Sequence, residues 1–261
     1  MILAIDIGNT ETMLGLFDGD EVVDSWRLST ERHRTGDELF LQLSALLASR
    51  ADEGASPERI VVASVVPALD RSWDVAADRL GLPLLRIDWR TELPIRLEVD
   101  EPHAVGAVRI VNTLATSCLF GRDTIVVDLG TATTFDCITA DGAFLGGVIA
   151  PGPRAGLDRL HTLSSKLPSV QIASPERVLG RNTVEALESG VFYSIVEGID
   201  GIVGRLIDEW APEDPLVIAT GGLAELVAPH CRRVQEVDPY LTLKGIVCAD
   251  RHLAATAGDR A

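Results

Sequence analysis

The chain has 261 residues, 46% hydrophobic and 24% charged, with a formal net charge of −16 at pH 7. That size and balance suit one large or two smaller globular domains, and the acidic surface opposes a general nucleic-acid binder, because like charges repel the phosphate backbone. No apolar run would span a bilayer, no basic leader precedes a cleavage site, and Cys118, Cys137, Cys231 and Cys248 lack zinc-site spacing; the expectation is a cytoplasmic protein with reduced thiols.

In chain order, residues 2–7, 12–18 and 21–29 read as three strands with short turns, "FDGDE" supplying one of them. Thr35 and Glu38 stand at capping-box spacing before an amphipathic helix that carries Leu39, Leu43, Leu46 and Leu47. "RIVVASVVP" at 59–67 is a buried strand stopped by Pro67, a helix follows near 70–80, and "LPLLRID" is another strand. A second cycle starts near 123: "DTIVVDLG", "TTFDCITADG" and "AFLGGVIAPG" again read as three strands. Residues 182–210 form a long helical stretch, "PLVIATGG" is a strand ending in glycines, and the chain from Leu241 is mostly helical.

Both cycles run apolar strand, Asp-x-Gly, Asn/Thr, second strand, an internal duplication aligned on Asp6 and Asp128. One such motif is shared with ordinary hairpin turns; two copies followed by "ATGG" are more specific. Glycine lets backbone N–H groups approach an anion, and Thr and Asn add neutral donors. A carboxylate repels phosphate but can hold Mg²⁺, which neutralises it. Asp6 and Asp128 therefore read as metal-side acids, and Gly8, Asn9, Thr10 and Gly130 to Thr134 as phosphate-side donors. Thr220, Gly221 and Gly222 would let the chain pass close to an adenine or a ribose. There is no G-x-x-x-x-G-K-[ST] motif, and these loops carry no lysine or arginine to grip a triphosphate.

Taken together, "DIGNT", "TGDE", "SVVP", "DLGTATTFD", "GGVIAPG", "LGRNTVEALESG", "ATGGLA" and "LTLKG" resemble the type III pantothenate kinases of the acetate and sugar kinase/Hsp70/actin superfamily. The resemblance implies an α/β fold of two ribonuclease-H-like domains of the actin-like ATPase superfold, divided here as 1–117 and 118–261. It implies phosphorylation of pantothenate by ATP with Mg²⁺, a monovalent cation (K⁺ or NH₄⁺), and a homodimer. By motif, Asp6, Ile7, Gly8, Asn9, Thr10, Glu11, Thr12 and Met13 would line ATP, with Asp6 on Mg²⁺. Gly130, Thr131, Thr133, Gly221 and Gly222 would add to that site, and Asp128 would attend the monovalent cation. Gly106, Ala107, Val108, Arg109 and Thr183 would bind pantothenate, Arg109 pairing with its carboxylate and Thr183 reaching across the dimer.

The family pattern Gly-Ala-Asp-Arg reads Gly106-Ala107-Val108-Arg109 in this chain, so the aspartate taken as general base is replaced by valine. Valine accepts no proton, and a positioned base contributes about 10²–10⁴ in rate. Two readings follow: a kinase, active or weakened, with His103 as a substitute base to weigh; or a non-catalytic relative that binds nucleotide or pantothenate as a regulator. Another sugar or acid kinase of the superfamily leaves "GRNTVEALESG" and "GGVIAPG" unexplained.

Overall fold

The computed structural model describes residues 1–51, 56–157, 167–168 and 170–258. Its contacts gather in two compact units: residues 1–95, 100–118 and the chain from 242 form the first, and 96–99 with 119–241 the second.

In the first unit, β1 (Ile2–Ile7), β2 (Glu11–Asp18) and β3 (Glu21–Ser29) form an antiparallel meander, and β4 (Arg59–Ser64) and β5 (Leu84–Ile87) extend it in parallel beyond β1. The sheet order is β3-β2-β1-β4-β5. β1 is an almost unbroken apolar run because both its faces are covered. Leu3, Ile5 and Ile7 pack in one cluster with Leu39 and Leu43 of α1 (Gly36–Ala51) and the fully buried Trp73 of α2 (Asp70–Leu80). The capping box is present: the Glu38 N–H donates to Thr35 Oγ1 at 3.3 Å and the Thr35 N–H to Glu38 Oε2 at 2.7 Å. Helix α2 ends where Gly81 turns left-handed, at φ 69°.

The second unit repeats the plan. Strands β7 (Thr124–Leu129), β8 (Ala132–Ile138) and β9 (Ala143–Pro151) form the meander, and β10 (Leu216–Thr220) and β11 (Glu236–Val237) extend it in parallel. A short β6 (Arg96–Leu97) adds beyond β9, giving the order β11-β10-β7-β8-β9-β6. Apart from β6 the two orders coincide strand for strand, so the duplication read on Asp6 and Asp128 extends to topology. The core of this unit joins Ile125, Val127 and Phe135 to Phe192, Val196, Ile199 and Val203 of α4 (Thr183–Trp210).

Two features depart from the sequence reading. The sequence reading assigns no element between "LPLLRID" and residue 123, yet "EPHAVGAVRIVN" opens helix α3 (Ala107–Leu119), whose Ala107, Ile110, Val111, Leu114 and Ala115 are buried. The division at 117/118 is also not a single cut. Helix α5 (Leu241–Gly258) returns to the first unit, where a Cβ on Gly245 would lie 2.0 Å from the Val111 carbonyl oxygen. Residues 96–99 belong to the second unit because β6 pairs with Ala143 and Phe144.

Candidate active site

In each unit one acid closes the first strand of the meander. β1 and β7 share one burial pattern, in which Asp6 and Asp128 alone are half-buried and every other strand residue is buried. Asp6 pairs with Met13 on β2 and Ala63 on β4; Asp128 pairs with Thr134 on β8 and Thr220 on β10. The two carboxylates therefore occupy equivalent places, at the carboxyl ends of central strands, where open sheets of this kind bind ligands.

The first loop is narrow. The Gly8 N–H donates to the Glu11 carbonyl at 3.0 Å, and a Cβ on Gly8 would stand 2.8 Å from that same oxygen. Asn9, Thr10 and Glu11 are exposed, whereas Ile7 and Thr12 are buried. The Thr12 hydroxyl is shared with that of Thr30 at 2.8 Å, so toward a ligand in the loop Ile7 and Thr12 offer backbone rather than side chain. The Thr30 N–H donates to the Thr10 carbonyl at 2.8 Å, which draws the segment after β3 (Glu21–Ser29) alongside the loop. From that segment the Arg32 guanidinium donates from Nη2 to Asn9 Oδ1 at 3.0 Å. The loop itself carries no lysine or arginine, as the sequence reads, and Arg32 comes to it from the segment after β3.

The start of α3 lies in the same part of the first unit. A Cβ on Gly106 would meet Val65 Cγ1 at 3.4 Å, and the Val65 N–H donates to the Ile7 carbonyl at 3.0 Å. The motif Gly106-Ala107-Val108-Arg109 is thus the first turn of a helix beside the end of β1, with Ala107 buried and Val108 and Arg109 half-buried. His103 is exposed, edge-on to the Trp89 ring with centroids 6.3 Å apart.

In the second unit glycines hold the loop after β7. At φ +90°, a Cβ on Gly221 would stand 2.6 Å from Asp128 Oδ1 and 2.8 Å from Leu129 backbone atoms. A Cβ on Gly152 would stand 2.1 Å from the Thr131 carbonyl oxygen and 2.7 Å from that of Gly130. Gly130, Thr131 and Gly222 are exposed. Thr133 is buried and, with Pro151 and Gly152, lines a cavity of about 400 Å³ beside Gly190, Ser194 and Gly198 of α4. Its side chain therefore faces α4, while Thr131 occupies the loop tip.

Thr183 is the first residue of α4, and the preceding Asn182 caps that helix by accepting from the Glu185 N–H at 3.0 Å. Glu185 closes the box: its carboxyl is held below the usual range, chiefly by the Arg181 N–H, which donates to Oε2 at 2.9 Å. In "GRNT", Asn182 thus carries the helix start, and Thr183 stands exposed on it.

The donor set suits Mg²⁺ carried by a nucleotide. Mg²⁺ takes one or two carboxylates together with phosphate oxygens and water, and among the described residues no group of three His, Cys, Asp or Glu forms a complete protein cage. Sequence reasoning did not reach the Arg32–Asn9 contact, the close approach of Gly152 to Thr131 or the helical start of α3; only the last left a signal, the 3.6-residue spacing of Ala107, Ile110, Val111, Leu114 and Ala115.

Residues 2–205 match the family model described as type III pantothenate kinase. A type III pantothenate kinase of Acidothermus cellulolyticus is 46% identical over 250 residues, covering 94% of this chain and 96% of that one. One of Streptomyces coelicolor is 41% identical over 254 residues, with the same coverage of each chain. Among solved structures, a ROK family glucokinase of Streptomyces griseus, in complex with glucose and AMPPNP, superposes with TM-score 0.56 at 14% identity, covering 96% of this chain and 98% of that one. The ethanolamine utilization protein EutJ of Carboxydothermus hydrogenoformans superposes with TM-score 0.55 at 16% identity over 94% and 88% of the two chains. Both show the fold, the two-domain actin-like ATPase architecture.

Proposed function

The chain belongs to the type III pantothenate kinase family and phosphorylates pantothenate with ATP, the first step of coenzyme A biosynthesis; from that premise we propose which of its residues carry the reaction. The relatives' kinase names bear out neither the regulator alternative nor a loss of activity. The observation that carries the proposal is the repeated strand end: two half-buried carboxylates, Asp6 and Asp128, each followed by a glycine turn with exposed neutral donors.

Asp6 holds Mg²⁺, and Gly8, Asn9 and Thr10 meet the phosphates through backbone N–H and side-chain donors, with Ile7, Glu11, Thr12 and Met13 completing the ATP loop. Gly130, Thr131, Thr133, Gly221 and Gly222 also take part in ATP binding, and Asp128 attends a monovalent cation, K⁺ or NH₄⁺. When bound, Mg²⁺ supplies charge neutralisation at the transferred phosphoryl group. Gly106, Ala107, Val108, Arg109 and Thr183 bind pantothenate, the Arg109 fork taking its carboxylate in a bidentate pair. At 108 this chain offers no proton acceptor, so positioning and charge neutralisation carry most of the catalysis.

We place the protein in the cytoplasm as a homodimer, with Thr183 contributing to the partner subunit's pantothenate pocket. No described helix is long and apolar enough to cross a membrane. The dimer is supported by α4, whose Ala186, Gly190, Ser194 and Gly198 form a row of small residues beside the cavity. The deciding experiment is ADP release coupled to pantothenate, in Mg²⁺ with K⁺ or Na⁺. Asp6→Asn should abolish most turnover with little change in thermal stability; unchanged turnover removes Asp6 from the site. Sedimentation at micromolar concentration checks the dimer, and a monomer there refutes it.

A further inference from the structure

We infer that Arg32 is a further nucleotide-binding residue, placed to hold the phosphates of ATP at the first loop. The inference rests on the proposed reading of Asp6–Met13 as a phosphate loop. Three observations support it. First, the Arg32 guanidinium reaches the loop itself, donating to Asn9 Oδ1 at 3.0 Å. The contact is anchored on both sides: Thr30, two residues earlier, is bonded to Thr10 through backbone and to Thr12 through hydroxyls.

Second, the charge of Arg32 is not used elsewhere. Its neighbours are engaged: Arg27 pairs with Glu11 at 3.3 Å, and Arg34 donates to the Ser29 carbonyl at 3.2 Å. Among the described residues Arg32 makes no ion pair, and its partner is a neutral amide oxygen. A guanidinium carries five N–H donors in a planar fork, so one bond to Asn9 leaves most of them for phosphate oxygens.

Third, the bond fixes how Asn9 faces the ligand. Arginine only donates, so the amide oxygen of Asn9 must turn toward Arg32, which leaves its NH₂ group to face elsewhere. Asn9 is thereby kept as a donor, the polarity a phosphate requires. Arg32 is exposed, on a chain of net charge −16. A local cation there offsets the field that would otherwise repel a triphosphate.

The test is calorimetric binding of Mg²⁺–ATP and of adenosine to the full chain, with Arg32→Met, Arg32→Lys, Asn9→Ala and Asp6→Asn. Arg32→Met should weaken ATP binding about tenfold or more and leave adenosine binding unchanged, because charge-assisted bonds to phosphate are lost and nothing at the base is touched. Arg32→Lys should recover part of the loss, keeping the charge without the fork. The Asn9→Ala/Arg32→Met double variant should bind ATP more weakly than either single variant, since Arg32 contacts phosphate as well as Asn9. Wild-type ATP affinity in Arg32→Met, or equal losses of ATP and adenosine, overturns the inference. A double variant no worse than Asn9→Ala also overturns it, reducing Arg32 to a prop for Asn9. If Asp6→Asn and Asn9→Ala leave ATP binding unchanged as well, the loop reading fails and takes Arg32 with it; if they weaken binding while Arg32→Met does not, Arg32 alone fails.

Discussion

Gly221→Ala should damage the second loop through one methyl group. Gly221 sits at φ +90°, and the new Cβ would lie 2.6 Å from Asp128 Oδ1 and 2.8 Å from both Leu129 N and Leu129 C. Two of those three atoms are backbone within β7 (Thr124–Leu129), so no side-chain rotation relieves the overlap. A positive φ costs an L-residue about 1–2 kcal/mol, and forcing a methyl into packed surroundings costs about 1–3 kcal/mol more. The expected destabilisation is about 2–5 kcal/mol, with the Asp128 carboxylate pushed from its place at the strand end. Thermal and urea unfolding measure the first effect; the K⁺ dependence of ADP release measures the second, which should weaken. The control is Gly201→Ala on an exposed face of α4, where an added Cβ meets nothing within 4 Å. A helical Gly→Ala there should be neutral or stabilising by up to about 1 kcal/mol. Wild-type stability and cation response in Gly221→Ala would falsify the idea that this close approach positions Asp128.

Asp250→Ala should cost about 1–3 kcal/mol by chemical denaturation: Arg59 Nε and Nη2 each reach the buried Asp250 carboxylate at 2.6 Å, and Arg59 stays partly hydrated once it is gone. A stability unchanged within error would make that pair ornamental. Burial pushes the Cys137 thiol up to about 11 and those of Cys231 and Cys248 up to about 12. At pH 8 a disulfide reagent should therefore label exposed Cys118 first and the other three only slowly, which peptide mass mapping would read. The Glu38 carboxyl is held below its ordinary value of 4.5, first by the Thr35 N–H. A lowered carboxylate stabilises above the unfolded value, and that stabilisation is lost as pH falls through the folded one. The melting-temperature gap between the native chain and Glu38→Gln should be full at pH 7 and close on acidification; a gap independent of pH would contradict the capping role.

Local rules made much of this fold legible. Thr35 and Glu38 announce α1 because a capping box is written in neighbouring residues, and Asp6-x-Gly8 and Asp128-x-Gly130 announce the meanders because strand and turn are local. What stayed hidden depends on distant segments. Arg32 reaches Asn9 only because β2 and β3 pair antiparallel, which sets the start of β2 beside the end of β3. Gly152 and Gly245 carry no sequence mark distinguishing them from turn glycines, yet each is glycine because a carbonyl from elsewhere occupies the place of its Cβ, 2.1 Å and 2.0 Å away. "LTLKG" and "GGVIAPG" therefore record packing. At the start of α3 chemistry and packing share one segment: Gly106 to Arg109 carry the substrate motif, while the spacing of Ala107, Ile110, Val111 and Leu114 is that of a buried helix face.

The same helix separates fold from chemistry at position 108. Val108 is half-buried in the first turn of α3, whose packing rests on Ala107, Ile110, Val111 and Leu114. An aspartate there removes no core residue and stands where a helix favours a negative charge, by about 0.3–1 kcal/mol. Val108→Asp should thus melt within a few degrees of the native chain. Its effect should fall on kcat, because a carboxylate can take the proton of the attacking hydroxyl and valine cannot. A base that acts as the proton leaves contributes about 10²–10⁴ in rate and stabilises the transition state more than the bound ground state. Pantothenate affinity, set in the proposed site by Arg109 and Thr183, should change little. Steady-state ADP release at saturating pantothenate, beside calorimetric binding, separates the two effects. Equal kcat values for the two forms would mean that the hydroxyl proton leaves by another route and that position 108 holds no base in this chain. Tighter pantothenate binding with unchanged kcat would instead make the residue at 108 a ground-state contact.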